Sequence, residues 1–135
     1  MIKAILELAD LRKGDILYDL GSGDGRILIE VAKKGIKAVG VEENKFLNWF
    51  AKRRIKRAKV KNVRIIEGDI FEQDISKANV IIAYLSRSVT LRLQKKIEKE
   101  AKKGTRIIIV DHYFKKWKPL KVKMVGITPI RLYVK

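Results

Sequence analysis

Apolar residues along this chain follow two alternating rhythms. Short runs rich in Ile and Val, the kind buried in a parallel sheet, alternate with longer stretches whose apolar positions recur every three or four residues, as on one helix face. Residues 1–11 place Ile2, Ile5, Leu6 and Ala9 on such a face, which predicts a short helix. Residues 15–20 read as the first strand, and a glycine-rich turn over 21–25 leads into a helix that Gly35 stops after about residue 34. A second strand spans 37–42. Asn44 is suited to cap the next helix, whose Leu47, Phe50, Ala51, Ile55 and Ala58 are expected to face the sheet. Strands over 62–67, 79–84 and 105–111 continue the alternation. Between the last two lies a helix over 87–102, closed by Gly104, with Val89, Leu93, Ile97 and Ala101 on one face. The tail differs: 122–125 and 130–134 are strand-like but separated by a piece too short for a crossover helix, which predicts an antiparallel hairpin. The expectation is an α/β fold, a doubly wound seven-stranded sheet, mostly parallel with a C-terminal antiparallel hairpin, in one domain over 1–135.

Composition narrows the chemistry. With no cysteine and one histidine in 135 residues, a disulfide scaffold and a thiolate metal site are excluded, and no metal is expected. Apolar runs such as 80–85 and 107–110 fall far short of the roughly 20 residues that cross a bilayer, and Glu7 interrupts any secretory core at the N-terminus. The reading is a cytoplasmic protein without a membrane partner. Lys and Arg number 32 against 15 Asp and Glu, a net charge of +17. Such a lysine- and isoleucine-rich, cysteine-free surface matches a thermophile pattern of solvated charge networks. A polyanion partner such as RNA is the other reading. The densest cluster (Lys45, Lys52, Arg53, Arg54, Lys56, Arg57, Lys59, Lys61) is expected to be one helix's solvent face.

The segment Tyr18-Asp19-Leu20-Gly21-Ser22-Gly23-Asp24-Gly25-Arg26 carries the most information. It falls where the first strand meets its helix, a place where open α/β sheets bind ligands. Gly21 and Gly23 permit a tight turn close to a ligand, and Gly25 permits close helix packing. A dinucleotide fingerprint needs its third glycine at position 26, where this chain has Arg26. Asp19 would also repel a pyrophosphate and welcome a cation.

Asp19-x-Gly21-x-Gly23-x-Gly25 resembles the first motif of the class I, Rossmann-like S-adenosylmethionine-dependent methyltransferases. Glu42-Glu43 at the end of strand two and Gly68-Asp69-Ile70 after strand three stand in register with that family's further motifs. The resemblance implies S-adenosyl-L-methionine as cofactor, held by Asp19, Gly21, Ser22, Gly23, Glu42, Asp69 and Ile70. Asp19 would meet the methionyl ammonium, Glu42 the ribose hydroxyls and Asp69 the adenine amino group, with Glu43 pointing the other way. These assignments agree with the chemistry, since a carboxylate suits a cis-diol or an ammonium. Tyr84 is the candidate catalytic residue, its ring facing the sulfonium by cation–π attraction.

The tetrapeptide of base-methylating enzymes is absent after strand four, where the chain reads Ala83-Tyr84-Leu85-Ser86. Most of the chain is similar to a narrower group: the archaeal broad-specificity protein-lysine methyltransferases and the mitochondrial relatives that methylate a lysine of the ATP synthase c-ring protein. The matching residues are 18–27, 38–42, Gly104-Thr105-Arg106, Phe114, Trp117 and Pro119. Those relatives have residues before the first helix that help cover the site, so a substrate lid is expected to be missing or to come from elsewhere. A protein lysine is the implied substrate. RNA is the alternative, because a +17 surface repels lysine-rich partners and attracts phosphates; a cofactor-binding regulatory module is a second. His112 reads as a rim histidine beside Asp111, and without a G-x-S-x-G elbow a hydrolase triad has no support.

Overall fold

A computed structural model describes residues 1–135. In chain order the elements are α1 (Ile2–Ala9), β1 (Ile16–Leu20), α2 (Arg26–Lys33), β2 (Lys37–Glu42), α3 (Lys45–Ala58), β3 (Val63–Glu67), a 3-10 turn (Ile70–Glu72), β4 (Val80–Ala83), α4 (Arg87–Glu100), β5 (Arg106–Val110), β6 (Lys121–Val125) and β7 (Thr128–Val134). The seven strands form one sheet in the order β3-β2-β1-β4-β5-β7-β6. Strands β1 to β5 pair in parallel, and β7 runs antiparallel to both β5 and β6. The predicted architecture therefore holds, with ends shifted by a residue or two. Helix α1, for example, stops at Ala9 because Asp10 turns left-handed and returns its N–H to the Leu6 carbonyl.

Both faces of the sheet are covered, so its central strands are apolar throughout rather than alternating. In β4 all four residues are buried: Val80 and Ile82 join Ile5, Leu17, Leu28 and Val31 on one face, while Ile81 and Ala83 join Leu93, Ile97, Ile107 and Tyr133 on the other. Phe114 belongs to this second core, in a cluster of three rings with Trp117 and Tyr133 at centroid distances of 5.4 and 4.7 Å. Helix α4 is fastened at both ends. The Ser86 hydroxyl accepts the Val89 N–H at its start, and the Lys135 ammonium donates to the carbonyls of Ile97, Glu98 and Ala101 at its finish.

Helix α3 corrects one expectation. Its inward stripe is Asn48, Ala51, Ile55 and Ala58, while Leu47 and Phe50 lie exposed. A polar residue holds the inward position: Asn48 is 2% exposed and its amide donates to the Glu42 carbonyl at 2.8 Å. That anchor brings position 48 into the inward stripe in place of 47 and 50, while Ala51, Ile55 and Ala58 stay where apolar periodicity puts them.

Gly40 in β2 is where sheet and turn approach most closely. A Cβ there would stand 2.5 Å from Leu28 Cδ1 and 2.6 Å from Ser22 Oγ, so the serine of the first turn occupies the space the glycine leaves. Gly40→Ala should lower unfolding free energy by about 1–3 kcal/mol through overpacking, read as a drop in the urea midpoint at unchanged m.

Candidate functional site

Sheet order reverses between β1 and β4, and the crevice there opens at the strands' carboxyl ends. Leaving β1, the chain passes through Gly21, Gly23 and Gly25, all with left-handed φ of 88°, 58° and 82° that side chains resist. Close approach adds a second requirement: a Cβ on Gly21 would lie 2.9 Å from Leu85 Cδ2, and one on Gly25 3.1 Å from the Ala51 Cβ, as expected for tight helix packing. The N–H groups of Gly21 and Ser22 both donate to the Val41 carbonyl, at 2.8 and 3.1 Å, binding the turn to the tip of β2.

Glu42, the last residue of β2, extends that attachment. Its Oε1 accepts the Gly23 N–H at 3.1 Å and its Oε2 the Asn44 N–H at 3.0 Å. Each carboxylate oxygen has two lone-pair sites, so one on each oxygen stays available for a vicinal diol. Asp69 follows β3, where its Oδ1 accepts the Phe71 N–H at 2.9 Å and caps the 3-10 turn. Its other oxygen is not used by that cap.

Gly21, Glu42, Asp69, Ile70 and Tyr84 border one cavity of about 360 Å³, with Val41, Phe71 and Leu85 among its walls. Glu43 borders it too, contrary to the expectation that it points away: β2 ends at Glu42, so strand alternation no longer governs the next residue. A second cavity of about 810 Å³ is bordered by Asp19, Gly21, Ser22, Gly23 and Tyr84, and by the first turn of α1. Gly21 and Tyr84 belong to both, so the two cavities adjoin. All eight residues singled out in the sequence therefore gather at this crevice.

Asp19 is the electrostatic centre. It is 4% exposed, and burial first and the Glu42 charge second push its carboxyl up to about 7, with no hydrogen-bond donor offsetting them. A buried acid without a donor is a ready seat for a cation. Together with the glycine cradle, the spare lone pairs of Glu42 and the apolar walls, it fits an ammonium-bearing nucleoside such as S-adenosylmethionine. Four carboxylates at this crevice (Asp19, Glu42, Glu43, Asp69) oppose a pyrophosphate instead. His112 borders neither cavity and has its Nε2 3.8 Å from Asp111 Oδ2, as a rim histidine would. No three potential metal ligands come together.

Residues 19–121 match the model of the ANTKMT methyltransferase domain. The chain belongs to this family. A protein-lysine N-methyltransferase of Saccharolobus islandicus is 40% identical over 90% of the chain and 78% of that protein. A human lysine N-methyltransferase named for the C-type subunit of ATP synthase is 33% identical over 98% of the chain, which spans only 57% of that relative's length. Among solved structures, an RNA methyltransferase from Salinibacter ruber in complex with S-adenosyl-L-homocysteine superposes with a TM-score of 0.94 at 35% identity, covering 98% of this chain and 88% of that one. This is thus a Rossmann-like methyltransferase domain dependent on S-adenosylmethionine.

Some residues of the methyltransferase site were not among the candidates read from the sequence. Gly40 and Asn48 act from beneath by making room for Ser22 and by anchoring the Glu42 carbonyl, while Met1, Ile2 and Leu85 join the cavity walls only through tertiary packing.

The raised Asp19 pKa has a definite sign. The folded state keeps its proton up to about 7 whereas the unfolded chain loses it near 3.8, so stability falls as pH rises between those values and is level above. Urea denaturation of the free protein should show a loss of about 2–4 kcal/mol across that window, and Asp19→Asn should abolish most of that slope.

Proposed function

We propose that this domain transfers methyl groups from S-adenosylmethionine to lysine side chains of protein substrates. The observation that carries the reading is the second cavity: beside the seat for a cation, Ile2, Ile5, Ile27, Leu47, Ile82 and Val110 join Tyr84 in an apolar part of its wall, with Lys3, Asp24 and Arg26 also bordering it. The 40% identical archaeal relative, a protein-lysine N-methyltransferase, supports it.

An amine attacks only when neutral, and bringing a lysine pKa from about 10.4 to roughly 7–8 takes on the order of 3–5 kcal/mol against the charged form. The apolar part of this wall would supply desolvation, and a neighbouring sulfonium would disfavour a second positive charge. The cofactor provides a methyl group on positive sulfur, so the amine lone pair forms the new N–C bond while the C–S pair stays with sulfur and a proton leaves the product. Alignment can carry much of that barrier, so no dedicated base is needed. Asp19 would hold the methionyl ammonium, Gly21, Ser22 and Gly23 the chain behind it, Glu42 the ribose diol, and Asp69 with Ile70 the adenine. Tyr84, which borders both cavities and is 57% exposed, would present its ring where donor and acceptor meet.

RNA is the second reading. It is favoured by the Salinibacter ruber structure and by the cationic face of α3, whose Lys45, Lys52, Arg53, Arg54, Lys56 and Arg57 are all exposed. One experiment separates the possibilities. Methyl-labelled cofactor is incubated with the protein and cell extract, and the products are digested. Label released by protease and retained through ribonuclease is expected; the converse establishes RNA, and no incorporation at all leaves a regulatory cofactor-binding module.

Glu42→Ala should weaken S-adenosylhomocysteine binding about tenfold or more, the cost of losing charge-assisted hydrogen bonds. Titration calorimetry reads this directly, and unchanged affinity would remove Glu42 from the site.

A further inference from the structure

Helix α3 leaves a second groove unexplained. About 880 Å³ in volume, it runs between α2 and α3 over an apolar floor of Ile2, Ile29, Phe50 and Trp49. Trp49 and Phe50 are about half exposed, 51% and 50%, and meet edge to face at 5.0 Å. Arg53 lies over the Trp49 ring at 4.8 Å, and Arg57 follows one turn later. Five cations border the groove (Arg26, Lys33, Arg53, Arg54, Arg57) against one carboxylate, Glu30, which pairs with Lys33. Asp24 takes up Arg26 and Arg54, leaving Arg53 and Arg57 without an acidic partner. The groove also adjoins the second cavity, read above as the one that takes the acceptor, because Ile2 and Arg26 border both.

We infer that this groove is the docking surface for the substrate protein, and that it selects a lysine whose flanking segment is amphipathic and acidic. The inference rests on the lysine reading above and adds what lies around the lysine. Apolar side chains of the segment lie on Trp49 and Phe50, carboxylates one helical turn apart face Arg53 and Arg57, and the lysine passes the Ile2–Arg26 boundary into the acceptor cavity. Charge demands such a segment: a +17 molecule repels a lysine in basic surroundings, and acidic neighbours reverse the sign of the encounter. An aromatic floor between arginines also suits single-stranded RNA. The peptide is favoured because the groove adjoins the cavity where Asp19 and Tyr84 face an apolar wall.

The test uses the full chain and three probes: a peptide with one lysine beside Glu residues four apart and Leu residues on the adjoining helix face, the same peptide with Gln for Glu, and an oligoribonucleotide of equal charge. The acidic peptide is expected to be methylated with a kcat/KM at least about tenfold above the Gln version, from charge-assisted contacts. Arg53→Glu/Arg57→Glu is expected to erase that preference while S-adenosylhomocysteine affinity stays unchanged. Equal rates for the two peptides, or a double variant that keeps the preference, would overturn the docking inference yet leave lysine methylation standing. A version of the acidic peptide with Arg for the acceptor lysine separates the two ideas, since its binding is read by Trp49 fluorescence, with Trp49→Phe as control, and needs no turnover. Quenching without methylation removes the lysine reading and with it the inference; quenching by the oligoribonucleotide and not by the peptide assigns the groove to RNA.

Discussion

A carboxylate that holds two turns at once organises the functional end of this domain. Glu42 accepts backbone N–H groups from Gly23 after β1 and from Asn44 after β2, so a single side chain sets the spacing of two neighbouring loops. It also faces Asp19 closely enough to raise that acid's proton affinity. Position and charge at the crevice are therefore coupled. Moving Glu42 would loosen the glycine turn and change how readily its neighbour ionises.

The layers beneath serve this arrangement. Asn48 fixes the carbonyl of Glu42 from α3, and Gly40 makes room for Ser22, whose hydroxyl is buried with no partner. A buried hydroxyl without a hydrogen bond costs free energy, which the turn bears in exchange for close contact with the sheet. Asp69 shows a milder form of double duty, capping a 3-10 turn with one oxygen while bordering the cavity. The acids at this crevice thus fasten backbone as well as offering charge.

Much of this was legible in the sequence because it depends on local pattern. Runs of Ile and Val predicted strands, the positive φ values of the first turn needed glycines that the sequence displays, and acids at successive strand ends converge wherever the strands are parallel neighbours. The errors have a common cause. The outward turn of Leu47 and Phe50 follows from a hydrogen bond between Asn48 and a backbone carbonyl, which hydrophobic periodicity does not record. The placement of Glu43 follows from where β2 stops, and the need for Gly40 comes from a residue 18 positions earlier in the chain. Tertiary contacts decided these features, and a lone polar residue in an apolar stripe was the only hint of one of them.

The fastenings around the crevice are unequal. The wall formed by Leu85, Val89 and Arg92 leads into a helix tied down by Ser86 and Lys135. The wall formed by Met1, Ile2 and Ile5 belongs to a helix held through Ala4, Ile5, Leu8 and Ala9, which are buried in the core beneath. One wall of the crevice is thus held by polar ties at both ends of its helix, and the opposite wall by apolar burial against the sheet.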